Sequence, residues 1–461
     1  MSDPVAHRSR AGLILLIVWA SWLGAMAAPV EVTFPYTRNE RPGPLKGIHA
    51  GSDPRGTFTW SEIWAGNIMT GPDQFDWSRI EQHLQRTADQ GRHSILRPVL
   101  DTWNKGSMPA FLTQIPGATH TNRSGLPVPV YQHPATRDAL VRFVEAFGRQ
   151  YDGDPRIGFI EVGMLGQWGE GWVDRGQPKP TLEVLLGARG MDQAKKGWKD
   201  YYAVSLEVTP EARKDVFQAY QRSFRKTRIL MGQSQDAEMT PEFGFHNDAF
   251  AFWKGPDGFY NRRIEAGAVD RWRKAPMIAR VHPEFGKWDQ VSRMPPNAVT
   301  PERLLGWIQR EHLSCLRLHE ATGIPELLRE QFISAAARTG YDLHLTRARW
   351  ESLGSTFRLQ VAFTNSGVAP FYYRWPIEVG WARDGSIRQT WSPDWDVRTI
   401  IPGAGEVVFD SAAPPDFRPE PGAALLVRIP NPLPKGPAIP LSHPSHPDDI
   451  DGWYTLGTRK P

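Results

Sequence analysis

Residues 73–100, DQFDWSRIEQHLQRTADQGRHSILRPVL, contain the pattern that decides the fold. Apolar side chains recur at helical spacing over Asp73–Gln90, namely at Trp77, Ile80, Leu84 and Ala88. Gly91 ends this predicted helix, and the run from Ser94 to Leu100 is nearly all apolar, as in a strand buried on both faces. An amphipathic helix followed by a buried strand is typical of a parallel α/β sheet.

The same alternation extends from about residue 45 to residue 340. Further strands are predicted at Leu45–Ala50, Thr57–Trp64, Ile157–Gly163, Arg228–Gly232, Phe243–His246, Pro276–His282 and Leu316–His319. Helices are predicted at Arg137–Tyr151 and Pro325–Arg338, and after two matched Thr-Pro-Glu starts at Thr209 and Thr300. This count approaches eight βα units, so we predict an α/β protein with a (β/α)8 TIM-type barrel.

The pattern changes after about residue 342. Phe357–Phe363 alternates, Thr364-Asn-Ser-Gly367 forms a turn, and short strands follow among proline and glycine clusters without any helical period. We predict a small all-β sandwich that ends in a proline-rich tail. The predicted domains are a signal peptide at 1–27, the barrel at 28–341, and the C-terminal β-sandwich with its tail at 342–461.

The N-terminus has the order of a secretory signal peptide. A basic region with Arg8 and Arg10 precedes an apolar run at 11–25, and Ala25-Met-Ala27 matches a cleavage site. The apolar run is short for a membrane span. We therefore predict an exported protein, secreted or periplasmic, with no stable membrane span after cleavage. An uncleaved N-terminal anchor is the alternative.

Composition and missing motifs exclude several classes of function. The formal charge is +4 with both signs interspersed, so no nucleic-acid surface is predicted. Cys315 is the single cysteine, which excludes an intrachain disulfide framework. The sequence has no dinucleotide fingerprint, P-loop or G-x-S-x-G elbow, and no cofactor is predicted. The 19 tryptophans suit sugar-stacking platforms, although core packing explains any single one equally simply.

Glu170 and Glu284 are the candidate catalytic carboxyl groups. Glycosidic cleavage uses two carboxyl groups around an oxocarbenium-like transition state, and a barrel supplies them from the C-terminal ends of its strands. Glu170 lies in a Gly- and Trp-rich turn, where neighbouring tryptophans exclude water and favour a general acid. Strand alternation places Glu284 beside Arg280 and His282, and an arginine keeps a nucleophile ionised. A loop-pinning hydrogen bond and a structural ion pair are the respective alternatives.

Other residues near the predicted strand ends are candidates for binding a sugar. The stacking candidates are Trp60, Trp64, Trp103, Trp168 and Trp172, and the hydrogen-bonding candidates are Asp101, His246, Asn247, Asp248, Arg280 and His282. Glu161 lies inside a strand and is predicted to form a structural ion pair. The residue types of His246, Asp248, His282 and Glu284 also suit a metal, but no H-E-x-x-H-type spacing is present and no metal site is predicted.

Several of these segments carry a family resemblance. The stretch 58–64, FTWSEIW, followed by Phe75-Asp-Trp77 and a helix leading to Ile95-Leu-Arg-Pro98, resembles the opening of clan A glycoside hydrolases of the β-galactosidase type. The strand before Gly166-Gln-Trp-Gly-Glu170, FHND at 245–248 and TNSGVAPFYY at 364–373 are similar to secreted bacterial barrel proteins of unknown function. The likeness covers most of residues 45–430.

This resemblance implies a glycoside hydrolase acting on a carbohydrate substrate. It places the acid/base after the fourth barrel strand and the nucleophile after the seventh, which are the positions of Glu170 and Glu284. Clan A enzymes carry Asn-Glu at the end of the fourth strand, whereas this sequence has Met164-Leu165 there. Two other functions therefore stay open: a non-catalytic glycan-binding or cell-envelope barrel, and a metal-dependent hydrolase or lyase.

Overall fold

The computed structural model describes most of the chain after the predicted signal peptide. The described residues are 29–49, 55–102, 106–121, 126–169, 208–232, 236–250, 255–281, 300–318, 326–354 and 356–459. The predicted signal segment 1–27 lies outside them. Within these ranges, no helix combines the length and the apolar composition needed to cross a membrane.

Eight parallel strands in the described residues form one sheet. In chain order, the first to eighth strands are Gly47–Ile48, Phe58–Trp64, His93–Val99, Ile157–Glu161, Arg228–Met231, Gly244–Phe250, Met277–Val281 and Cys315–Arg317. From the second strand onward each pairs with the next along the chain, and the eighth pairs with the first. A single bridge between His49 and Phe58 joins the first and second strands. The sheet is therefore a nearly closed barrel, as predicted.

Helices cover the intervals between the strands. In the described residues they are Ser78–Asp89, Ala110–Thr113, Pro134–Tyr151, Pro210–Ser223, Gly255–Glu265, Pro301–Glu311 and Glu326–Ala336, with short 3-10 turns at Ala65–Asn67, Val269–Arg273 and Val397–Thr399. The two Thr-Pro-Glu starts are confirmed, since the hydroxyls of Thr209 and Thr300 each accept a backbone N–H at 3.3 Å.

Two predicted helix starts are wrong. The first helix begins at Ser78 rather than Asp73, because Gln74–Phe75 pairs with Met69–Gly71 in a small hairpin. The third begins at Pro134 rather than Arg137, because Nδ1 of His133 accepts the N–H of Ala135 at 3.2 Å and caps the helix. A second hairpin joins Thr119–Thr121 to Pro127–Pro129.

The C-terminal residues form two antiparallel sheets. One contains Leu343–Leu353, Thr356–Asn365 and Val407–Ala412, with Leu441–Ser442 at its edge, and the other contains Ser386–Trp391, Glu378–Arg383, Ala424–Arg428 and Tyr454–Thr458. Val30–Thr33 also pairs with Leu343–Leu353, so a segment assigned to the barrel domain completes a C-terminal sheet. The tail, predicted to be irregular, contributes the strand Tyr454–Thr458.

The two C-terminal sheets pack against the N-terminal end of the barrel. One hydrophobic cluster contains apolar side chains of the two C-terminal sheets and six residues of the barrel strands, namely Phe58, Ile95, Phe159, Leu230, Ile278 and Cys315. The hydroxyl of Tyr373 accepts the N–H of Arg228 at 3.1 Å and donates to the carbonyl of Gly158. Both partners lie at the starts of barrel strands. The C-terminal ends of the strands, where barrel sites form, therefore lie on the side away from this contact.

Replacing Tyr373 with Phe tests this contact. The change leaves the N–H of Arg228 and the carbonyl of Gly158 without their shared partner, so we expect the free energy of unfolding to fall by about 1–3 kcal/mol. Tyr36→Phe is the matched control, because Tyr36 is 47% exposed and water replaces its hydrogen bond to Asp342. The control should lose less than about 0.5 kcal/mol in urea denaturation. Equal losses would contradict the proposed packing.

His93 makes the stability of the same junction depend on pH. Burial lowers the pKa of His93 to about 4, and its ring contacts the carbonyl of Pro155 and Nδ2 of Asn431. Below pH 6.5 the unfolded ring takes up a proton while the folded ring stays neutral. Stability should therefore fall as the pH falls from 6.5 to about 4, by about 3 kcal/mol at most.

Urea unfolding at several pH values measures this slope. The asparagine of His93→Asn cannot titrate, so this variant should not show the loss of stability between pH 6.5 and about 4. His446 is exposed, and His446→Asn should still show that loss. An unchanged slope in His93→Asn would show that another group dominates in this pH range.

Candidate functional site

The C-terminal half of the barrel interior is charged, although the layer beneath it is apolar. Phe58, Ile95, Phe159, Ile278 and Cys315 belong to the apolar layer. Successive side chains of a strand alternate in direction, so residues two positions further along point to the same side. Those positions on the same five strands are Trp60, Arg97, Glu161, Arg280 and Arg317. We use the name charged cluster for these five residues together with Glu62, His246 and Asp248.

Arg97 links three strands within this cluster. Its Nε donates to Glu161, and its Nη2 lies 2.9 Å from Nδ1 of His246 and 2.7 Å from Oδ2 of Asp248. Arg97 and Glu161 are almost completely buried, with exposed fractions of 0% and 2%. The prediction that Glu161 forms an ion pair is confirmed. Because a buried charge needs a partner, these contacts fix the third, fourth and sixth strands relative to one another.

The carboxyl group of Asp248 is held in the ionised form. Burial acts to raise its pKa, but the charge of Arg97, the ring of His246 and the charge of Arg280 outweigh burial. The pKa of Asp248 therefore lies well below its ordinary value. Asp248 carries a negative charge throughout the pH range in which the protein is expected to work.

The surroundings of Glu62 shift its pKa in the opposite direction from that of Asp248. It lies on the second strand in register with Arg97, but in the described residues its carboxyl group makes no hydrogen bond or ion pair. Burial raises its pKa, and the charges of Arg97, Arg280 and Arg317 offset only part of that effect. Carboxyl groups whose pKa values are moved apart are suited to acid and base roles. Glu62 is not among the residues predicted from the sequence, although its spacing of two residues from Trp60 places both on one face of the strand.

Arg280 and Arg317 lie side by side on the seventh and eighth strands, in direct register. Their guanidinium carbons are 5.6 and 4.1 Å from the ring centre of Trp60, and that of Arg97 is 5.2 Å away. The indole Nε1 of Trp60 donates to Glu161 at 3.1 Å. Burial and the neighbouring Arg280 lower the pKa of Arg317 to about 10. Trp60 therefore contacts cations, an arrangement that does not favour its predicted role as a sugar platform.

The turn after the fourth strand packs back onto the end of that strand. A side chain at Gly169 would overlap the backbone of Gly163, and one at Gly163 would overlap the carbonyl of Pro98. Trp168 has a positive φ of 56°, which is costly for a residue with a bulky side chain, and its N–H donates to Asp101 at 2.7 Å. Strained backbone of this kind often marks a functional site. Gly169 is the last described residue before Glu170.

The predicted site residues are only partly described. Glu170, Glu284, Trp103, Trp172 and His282 lie outside the described residues. Of the others, the structure brings together Trp60, His246, Asn247, Asp248 and Arg280 around one small cavity. Asp101 and Trp168 meet at the ends of the third and fourth strands, and Trp64 ends the second strand. The sugar-binding roles of all these residues stay predictions.

The cluster is poorly suited to a metal ion. Nδ1 of His246 and Oδ2 of Asp248 both face the guanidinium group of Arg97. A fixed positive charge at this distance opposes a second cation. Across the described ranges, no group of three His, Cys, Asp or Glu side chains is placed to hold a metal. His282 and Glu284 lie outside those ranges, so that part of the metal hypothesis stays untested.

Similar folds occur among solved glycoside hydrolases. The catalytic domain of a β-amylase from Paenibacillus polymyxa shares 11% identity, covering 62% of this chain and 91% of that one, with a TM-score of 0.39. A β-galactosidase from Rahnella sp. R3 shares 11% identity over 67% of this chain and 59% of that one, with a TM-score of 0.37.

An endoglucanase from Pseudomonas stutzeri shares 9% identity over 66% of this chain and 97% of that one, with a TM-score of 0.34. No protein-family model matches the chain, and no curated protein is similar to it in sequence. At such identities and TM-scores, these likenesses do not define the activity of the chain.

Replacing Glu161 with Gln should destabilise the barrel strongly. The change leaves Arg97 buried with one fewer negative partner, so we expect the free energy of unfolding to fall by about 3–5 kcal/mol. Glu145→Gln is the matched control, because Glu145 pairs with Arg222 at the surface. The control should lose less than about 1 kcal/mol. Urea denaturation of both variants measures the difference, and similar losses would mean that Arg97 does not depend on Glu161.

Proposed function

We propose that the chain hydrolyses a glycosidic bond in an oligo- or polysaccharide at the C-terminal end of the barrel. The observation that carries this proposal is the charged cluster, which lies in that half of the barrel, away from the C-terminal sheets. It contains an ionised carboxylate, Asp248, and a carboxyl group with a raised pKa, Glu62. Barrel enzymes carry their chemistry at this end of the strands.

We keep Glu170 and Glu284 as the catalytic pair. Glu170 follows Gly169, which packs on the end of the fourth strand, and Glu284 follows the seventh strand by three residues. Glu170 would donate a proton to the leaving oxygen, and Glu284 would attack the anomeric carbon to form a glycosyl-enzyme. Glu170 would then activate the water that releases the sugar, which gives net retention. Asp248 would add negative charge near the developing oxocarbenium ion.

We also propose roles for the tryptophans around the site, the C-terminal sheets and the N-terminal segment. Trp64 and Trp168, with Trp103 and Trp172, would supply stacking surface above the charged cluster. The two C-terminal sheets would form the expected sandwich, with a packing role against the barrel. Export by the N-terminal segment 1–27 would bring the protein to extracellular or periplasmic glycans.

A non-catalytic glycan-binding barrel is the second candidate. Met164 and Leu165, which stand where clan A enzymes carry Asn-Glu, are buried with exposed fractions of 0% and 4%. Neither side chain has a group that can transfer a proton. A barrel without the acid would keep the aromatic and charged surface and bind sugars without cleaving them.

Replacing Glu284 with Gln should abolish hydrolysis and leave the fold and sugar binding intact. An uncharged amide does not form the glycosyl-enzyme, so we expect turnover to fall by about a thousandfold or more. Glu265→Gln, an exposed change on the helix Gly255–Glu265, is the control and should retain full activity. Release of reducing sugar from polysaccharides and aryl glycosides measures turnover.

The outcomes separate the two candidates. Hydrolysis by the wild type and loss in Glu284→Gln support the proposal, and NMR of the first product should then show the retained anomer. Hydrolysis that persists in Glu284→Gln would refute the assignment of the nucleophile. Sugar binding without any turnover in the wild type would favour the glycan-binding barrel.

A further inference from the structure

Arg280 and Arg317 are half-buried and differ from the buried arginines of the barrel. Arg263 is paired with Glu311, Arg213 with Asp236, and Arg97 with Glu161. Arg280 and Arg317 make no hydrogen bond or ion pair within the part of the chain that the structure describes. Nε of Arg280 and Nη1 of Arg317 are buried nitrogen atoms that lack an acceptor there. The half-buried Arg228 and Arg271 donate to backbone carbonyls, so Arg280 and Arg317 also differ from arginines of similar exposure.

None of the nearby carboxylates bonds to Arg280 or Arg317 in the described residues. Glu161 accepts from Arg97 and Trp60, and Asp248 accepts from Arg97. Glu62 is the remaining carboxyl group of the cluster; the charges of Arg97, Arg280 and Arg317 act on it, but it makes no hydrogen bond or ion pair in the described residues. Three guanidinium groups thus surround one indole ring, while both hydrogen-bonded carboxylates are bound to Arg97. The guanidinium groups of Arg280 and Arg317 therefore lie close to carboxylates without bonding to any of them in the described residues.

The position of the two arginines indicates what kind of group they would meet. They occupy adjacent strands in register, so their side chains start about 4.8 Å apart on the same face of the sheet. Two neighbouring guanidinium groups present parallel N–H donors, which match the two oxygens of a carboxylate. The cavity that they line measures about 10 Å³, which is too small for a sugar ring. A substituent of a ring bound above them is what can reach these donors.

We propose that Arg280 and Arg317, supported by Trp60, form a subsite for the carboxylate of an acidic sugar, so that the substrate is a uronic-acid-containing glycan. This inference rests on the proposed function, because it names the substrate class of the same site. The carboxylate would accept N–H groups from both arginines and neutralise their mutual repulsion. The indole of Trp60 is hydrogen-bonded to Glu161, and its ring lies against both guanidinium groups.

The proposal predicts opposite effects of one substitution on stability and on binding. Arg317→Gln removes one of two unpaired like charges, so the melting temperature of the sugar-free protein should rise. The same change should weaken binding of glucuronate- or galacturonate-containing oligosaccharides by about tenfold or more. A merely structural arginine would give a lower melting temperature. Arg222→Gln, which breaks the surface pair with Glu145, is the control and should leave uronate binding unchanged.

Arg317→Lys is a second variant, which keeps the test valid if Arg317→Gln does not fold. It keeps the positive charge but loses the paired N–H donors, so its uronate affinity should also fall while its melting temperature stays close to that of the wild type. Calorimetric titration of the full chain with glucuronate, galacturonate and the matched neutral oligosaccharides measures affinity. The expected result is a wild-type preference for the uronates that both Arg317 variants reduce.

Other outcomes overturn the proposal. Equal affinity for neutral and uronate sugars would do so, and so would unchanged uronate affinity in both Arg317 variants. A preference for sulfated over uronate oligosaccharides would show that the arginines bind a sulfate ester and not a carboxylate. Binding is measured without turnover, so uronate binding without hydrolysis would support this subsite while the hydrolase proposal failed. Hydrolysis of neutral glycans without uronate binding would overturn only the subsite.

Discussion

The buried guanidinium group of Arg97 is the interaction on which the upper half of the barrel depends. It reaches from the third strand to Glu161 on the fourth and to His246 and Asp248 on the sixth. A charge buried so completely is tolerated only with partners, so its contacts define how these strands face each other. Both hydrogen-bonded carboxylates of the cluster bind Arg97, and neither bonds to Arg280 or Arg317 in the described residues.

The two ends of the barrel have different physical roles. At the N-terminal end, apolar side chains of six strands and of the C-terminal sheets form one cluster, and Tyr373 and His93 add hydrogen bonds across the contact. That end contributes stability through burial of apolar surface. At the other end the same strands carry charged side chains, whose burial is costly and whose geometry is fixed by Arg97. Such a division leaves one end available for chemistry without weakening the other.

The barrel could be predicted from the sequence because its signals are local. Buried runs such as Ser94–Leu100 and caps such as Thr209 depend on neighbouring residues only. The predicted start of a helix was wrong in two places, where a hairpin precedes the helix or His133 caps it. The charged cluster depends on contacts between distant strands, so Glu62 and Arg317 were missed although Asp248 and Arg280 were selected. The ion pair of Glu161 was predicted, but its partner Arg97 was not identified. Glu170 and Glu284 lie outside the described residues.

We propose that a sugar binds this protein at the charged cluster. Nitrogen-15 NMR of the arginine Nε–H and tryptophan Nε1–H groups, recorded while an oligosaccharide substrate or ligand is added, tests that claim most directly. The signals of Arg280, Arg317 and Trp60 should shift, while that of Arg263, paired with Glu311 away from the cluster, should stay in place. Shifts confined to Arg263 and other arginines outside the cluster would contradict the account.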